Sequence, residues 1–83
     1  MLYMKGVRMM YVYSRIRDLR EDNDETQEQV AKKLHQYTTT YRRWETGETE
    51  IPTHMLKELC KIYDVSADYI LGFTDEKKPL PKR

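Results

Sequence analysis

Tyr37-Thr38-Thr39-Thr40-Tyr41-Arg42-Arg43-Trp44-Glu45-Thr46-Gly47 is the stretch on which the reading of this chain turns. Its bulky residues Tyr37, Tyr41 and Trp44 recur at i, i+4 and i+7, so a helix here has one aromatic stripe for packing. The other side carries Thr38, Thr39, Arg42, Arg43 and Thr46, hydroxyls and guanidiniums with no acid before Glu45. Side chains of these types hydrogen-bond base edges and phosphates. Gly47 supplies the left-handed residue with which helices commonly stop. The expectation is a helix that reads DNA.

Upstream, Thr26 is placed as an N-cap, with Gln27 and Glu28 in the first turn and Val30, Ala31 and Leu34 at i, i+1 and i+4. That predicts a second, two-turn helix joined to the opening one by His35-Gln36. Before it, Ser14 is expected to cap a first helix running to about Asp22, with Ile16 and Leu19 on its apolar side and Tyr13 or Val12 extending the stripe. Residues 1–13 are assigned to an N-terminal extension. Three readings of it stay open: a loose end, a strand pairing with a second copy, or an arm placing Lys5 and Arg8 on phosphates. Met9 and Met10 are alternative natural starts.

Downstream, Pro52 and Thr53 open a fourth helix whose residues Met55, Leu56, Leu59, Cys60 and Tyr63 form a wide apolar face. Ser66 caps a short fifth helix, Ala67 to Leu71, that stops at Gly72. Residues 14–73 are thus the folded domain, and the polar, Pro-interrupted residues 74–83 read as a flexible tail.

The chain of 83 residues, 39% hydrophobic and 35% charged with three Gly and three Pro, suits one small all-α domain. Cys60 alone cannot form an internal disulfide, and with His35 and His54 it has no zinc-ligand spacing, so neither a metal nor a cofactor is expected. A reducing cytoplasm is the simplest setting, since no apolar run is long enough for a bilayer and the N-terminus lacks a secretory layout. The net charge of +1 makes no overall case for nucleic acid. Its distribution is uneven: residues 1–20 carry +4, 21–30 carry −5, 31–44 carry +4, and Glu45, Glu48 and Glu50 then give −3. Such blocks also occur on ordinary solvated helices.

The runs Arg15-Ile16-Arg17-Asp18-Leu19-Arg20, Thr26 to Leu34, Arg43-Trp44-Glu45-Thr46-Gly47, Pro52, Leu56 to Cys60 and Val65 to Gly72 resemble the Cro and phage-repressor type of helix-turn-helix, the xenobiotic-response-element (XRE) family. The likeness covers residues 14 to 73 in register and without a gap. It implies a compact five-helix, lambda-repressor-like bundle that binds a two-fold double-stranded DNA operator as a homodimer. It further implies base reading by Tyr37, Thr38, Thr39 and Arg43, and backbone contacts from Gln27, Arg42, Thr46 and Thr53. Arg20 and Glu45 match a pair that ties the first helix to the end of the reading helix, although Arg20 can also face a phosphate. Arg42 is open between a phosphate contact and a solvated cation, Thr53 between a backbone contact and a cap, and Tyr37 between the core and DNA. Dimer contacts are expected from Tyr69, Ile70 and Phe73 or from the N-terminal segment.

Three departures from the family pattern stand out. His35 occupies the usual glycine of the turn, where a positive φ is strained for most side chains. Tyr41 replaces a β-branched aliphatic, so its buried hydroxyl needs a partner. Glu48 and Glu50 stand in a loop that often carries cations toward DNA, which predicts a weaker phosphate grip. A repressor-like regulator is the leading expectation. A protein-interaction module on the same scaffold is the alternative. An enzyme is disfavoured, because His35, His54 and Cys60 do not suggest a shared site and no catalytic residue is assigned.

Overall fold

The computed structural model describes residues 12–78; the expectations for the rest of the N-terminal extension and for the last residues of the tail lie outside them. The described chain is all-helical: α1 Ser14–Asp22, α2 Gln27–Lys33, α3 Thr38–Thr46, α4 Thr53–Tyr63 and α5 Ala67–Leu71. Ile16 and Leu19 of α1, Val30 and Ala31 of α2, Tyr41 and Trp44 of α3, Met55 and Leu59 of α4, and Tyr69 and Ile70 of α5 meet in one buried cluster. Leu56, Cys60, Ile62 and Tyr63 pack half-buried at its edge, so the face of α4 is narrower at its centre than its sequence suggests. α2 packs on α3, α1 against α3 and α5, and α4 against α5.

The start of α1 corrects the sequence reading. Tyr13 is the cap residue, and Ser14 is already the first helical residue. The ring of Tyr13 is buried and its hydroxyl accepts a hydrogen bond from the Ile51 N–H at 3.3 Å, so packing across the fold fixes this end. Tyr13 therefore belongs to the domain and not to an extension. α2 begins as expected at Thr26, whose Oγ1 accepts from the Gln29 N–H at 3.1 Å while Gln29 Oε1 accepts from the Thr26 N–H at 2.8 Å. Such a reciprocal box satisfies two otherwise free donors. Ser66 likewise accepts from the Tyr69 N–H at 3.0 Å.

Each helix is closed by a left-handed residue: Asp24, His35, Gly47, Asp64 and Gly72. At the α2–α3 turn His35 has φ 58°, the Gln36 N–H donates to the Ala31 carbonyl at 2.9 Å, and the His35 N–H donates to that of Lys32 at 3.1 Å. This is the paired closure of a Schellman turn, retained without glycine. Beyond α5, Arg15 donates to the carbonyl of Thr74 and pairs with Asp75, both at 2.8 Å, while its guanidinium lies 4.3 Å from the Tyr69 ring centre. The Ser66 N–H also donates to the Lys77 carbonyl at 2.9 Å. Residues 74–77 thus lie strapped across α1 and the start of α5, whereas composition alone assigns them to a tail.

His35 tests the turn. His35→Gly is expected to raise the unfolding free energy by up to about 1 kcal/mol, relief at positive φ outweighing the added chain entropy. His35→Val, a β-branched residue, is expected to lower it by about 1 kcal/mol or more. Urea titrations with unchanged slopes check the order; Val at or above His would show that the turn does not impose this conformation.

Candidate nucleic-acid interface

α3 buries Tyr41 and Trp44, whose rings meet edge to face at 6.1 Å. Tyr37, expected as a third member of that stripe or as a DNA contact, precedes the helix as its N-terminal flank and is 84% exposed. The inward stripe is therefore Tyr41 and Trp44, joined by the acid Glu45.

Glu45 has no exposed side-chain surface. Arg20 grips it with two nitrogens, Nε to Oε2 at 2.6 Å and Nη2 to Oε1 at 3.1 Å. Tyr41 donates its hydroxyl to Oε2 at 2.5 Å, and the Gln27 amide donates to Oε1 at 3.0 Å. The hydroxyl made awkward by the unusual Tyr41 thus finds its partner one turn along the same helix. Burial alone pushes the Glu45 carboxyl up, but the bonds from Arg20, Tyr41 and Gln27 together overcome it and hold the group below the usual carboxylate range. Burial and the adjacent carboxylate push the Tyr41 phenol well above its ordinary value, so it remains a donor. The hydrogen bond to Glu45 likewise raises Arg20, against the opposing effect of its burial.

This cluster sets the surface above it. The third nitrogen of Arg20 donates to the Glu25 carbonyl at 2.9 Å, which leaves its guanidinium committed within the fold. Gln27 passes the constraint outward, its Oε1 accepting from Arg42 Nε at a long 3.5 Å. Thr39, Arg42 and Arg43 are exposed, with Thr38 and Thr46 half-buried beside them. Thr46 Oγ1 lies 3.2 Å from both the Arg43 carbonyl and Glu48 Oε2. Glu48 Oε1 in turn lies 4.0 Å from Arg43 Nε. Thr53 is exposed as the first residue of α4, where Pro52 holds the cap position, so it does not cap.

Periodicity did not single out Arg17 or Glu48. Arg17 Nε is 3.8 Å from Glu45 Oε1 at the rim of the cluster. Both contacts join residues whose pairing depends on the turn and on packing, and no spacing rule marks them. Among the described residues no group of His, Cys, Asp and Glu could hold a metal ion. Cys60 packs at the edge of the core, where burial pushes its thiol up.

The family model described as "Helix-turn-helix" matches residues 16–70. The chain belongs to the XRE-type helix-turn-helix family. Among curated proteins it is 39% identical over 69 residues to the Uncharacterized HTH-type transcriptional regulator YobD of Bacillus subtilis (strain 168). The match takes in 83% of this chain but 62% of that relative, so the chain spans well under the relative's full length. No solved structure is significantly similar. In this helix-turn-helix, α2 and α3 are the paired helices, and His35 is the left-handed residue of their turn.

The cluster also predicts a pH response. Because the folded-state pKa of Glu45 is depressed, its contribution is complete above the unfolded-state value of about 4.3 and is lost as pH falls through the folded value. Glu45→Gln should therefore flatten the acid limb of a plot of stability against pH. Glu45→Ala, which strands Arg20 and Tyr41, should cost about 3 kcal/mol at neutral pH. Thermal unfolding between pH 2 and 7 measures both, and an unchanged acid limb in Glu45→Gln would remove Glu45 from this role.

Proposed function

We propose that the chain is a sequence-specific double-stranded DNA-binding transcriptional regulator that represses by occupying its operator, with α3 in the major groove. One observation carries this reading: the sole acid of α3, Glu45, is turned inward and paired with Arg20, so the helix presents outward only threonines and arginines. A helix of ordinary composition thereby gains a cationic, hydroxyl-bearing face. The relative's description as an HTH-type transcriptional regulator supports it.

Arg43 is the principal reader, its guanidinium suited to O6 and N7 of guanine, with Thr38 and Thr39 beside it and Tyr37 reaching from the helix start. Arg42, Gln27, Thr46 and Thr53 take the phosphates. Arg20 is a weaker candidate for a phosphate, since each of its nitrogens already has a protein partner. The reading involves no enzymatic step, cofactor or membrane, and its setting is the cytoplasm. No described helix is long and apolar enough to cross a membrane.

A two-fold operator requires two such helices about 34 Å apart. Tyr69 and Ile70 are buried within the domain and are removed from the candidates for the dimer contact, whereas Phe73 is 79% exposed with Leu71 partly so. Among the described residues the end of α5 is then the candidate for the homodimer contact, and the N-terminal segment is the alternative. Phe73→Asp should shift equilibrium sedimentation toward monomer, and an unchanged association would exclude this route.

DNA binding is tested by mobility shift on sites selected from random duplex DNA. Arg43→Ala is expected to lose about tenfold or more on guanine-bearing sites, whereas Arg42→Ala should weaken all sequences alike and lower the salt slope by about one. Gln27→Ala should weaken binding without changing the slope, because the amide carries no charge. Wild-type binding by both Arg43→Ala and Gln27→Ala would show that the assigned surface is wrong. Retention of a protein partner with no enriched DNA sequence would favour an interaction module, for which the exposed acids Glu48 and Glu50 are the supporting observation.

A further inference from the structure

A carboxylate near the phosphates lowers affinity for every DNA sequence. Glu48 is nonetheless fastened to the reading helix at both its backbone and its side chain. Its N–H closes α3 by donating to the Arg43 carbonyl at 2.9 Å. Its Oε2 accepts from Thr46 Oγ1 at 3.2 Å, and this leaves Oε1 4.0 Å from Nε of Arg43. Among the described residues Glu48 is the only acidic side chain paired with that guanidinium.

The edge that it faces matters. A guanidinium chelates guanine through two parallel N–H groups in one plane. An exposed arginine free to rotate must lose that freedom on binding, and the loss is charged against the correct base. A carboxylate on the Nε edge, here 4.0 Å away between two half-exposed side chains, biases the plane beforehand and leaves the distal pair of terminal N–H groups free for a base.

We propose that Glu48 is a positioning residue for base reading, buttressing Arg43 at Nε so that its distal terminal N–H groups meet O6 and N7 of a guanine. This rests on the DNA-reading assignment above. The same charge repels the phosphates of all sequences equally, so Glu48 weakens binding to unrelated DNA while sharpening the choice of base. Thr46 acts with it by anchoring Oε2. Removing the charge therefore shifts general affinity and discrimination in opposite senses, which a purely repulsive acid would not do.

The test uses the full chain and random duplex DNA. Selection first identifies the guanine position whose enrichment disappears in Arg43→Ala, and competition titrations then compare guanine with adenine there. Glu48→Gln, an exposed change that keeps the side-chain length, is expected to bind unrelated duplex about threefold more tightly. Its preference for guanine at that position should fall about fivefold. In the Arg43→Ala background the same change should leave discrimination there as it was. Undiminished guanine preference in Glu48→Gln overturns the positioning role alone. A wild-type chain that enriches no sequence overturns the DNA-reading assignment, and this role with it.

Discussion

The buried carboxylate of Glu45 is the constraint on which the arrangement of the first three helices depends. An acid without solvent contact is costly unless its oxygens are fully bonded, and here two nitrogens of Arg20, one phenol and one amide supply the bonds. Arg20 comes from α1, Gln27 from the start of α2, and Tyr41 from α3 itself. The three helices must therefore hold one relative position for the charge to be tolerated. Such a cluster adds more to uniqueness of geometry than to net stability, because the desolvation of both ions offsets much of their attraction.

The same cluster explains how a nearly neutral chain can present a cationic helix. Glu45 is withdrawn from the surface of α3, while Arg42 and Arg43 remain outside. Overall charge is then a poor guide, since the sign of a small surface depends on which side chains turn inward. Gln27 links the two levels, one end of its amide on Glu45 and the other toward Arg42. A residue at the edge of the candidate interface is in this way linked, through a long 3.5 Å contact, to a bond made in the interior.

Helix ends impose the remaining geometry. Five left-handed residues close the five described helices, and at Asp24, His35 and Asp64 these are side chains other than glycine. At His35 the closure is made by backbone bonds, so the path from α2 into α3 survives the loss of the usual glycine. The strap over residues 74–77 shows the converse. A segment of polar, low-hydrophobicity composition is held by one arginine through two of its residues, Thr74 and Asp75, and by a backbone bond from Ser66 to Lys77.

Local spacing along the chain was enough to settle the features that depend on near neighbours. Apolar recurrence marked the helices, Thr26 and Ser66 their caps, Gly47 and Gly72 their stops, and the gapless likeness over residues 14 to 73 indicated the family. The proposed readers on α3 were legible for the same reason, since helical periodicity separates Arg43 from Tyr41 and Trp44. Tertiary structure alone decided the rest. It turned Tyr37 outward, chose Tyr13 over Val12 to extend the stripe of α1 and left Ser14 inside the helix, buried Tyr69 and Ile70, strapped residues 74–77, and brought Glu48 to Arg43. Each of these depends on a turn angle or on a partner distant in the chain. Residue spacing encodes which face of one helix a side chain occupies, but not what the fold brings against that face.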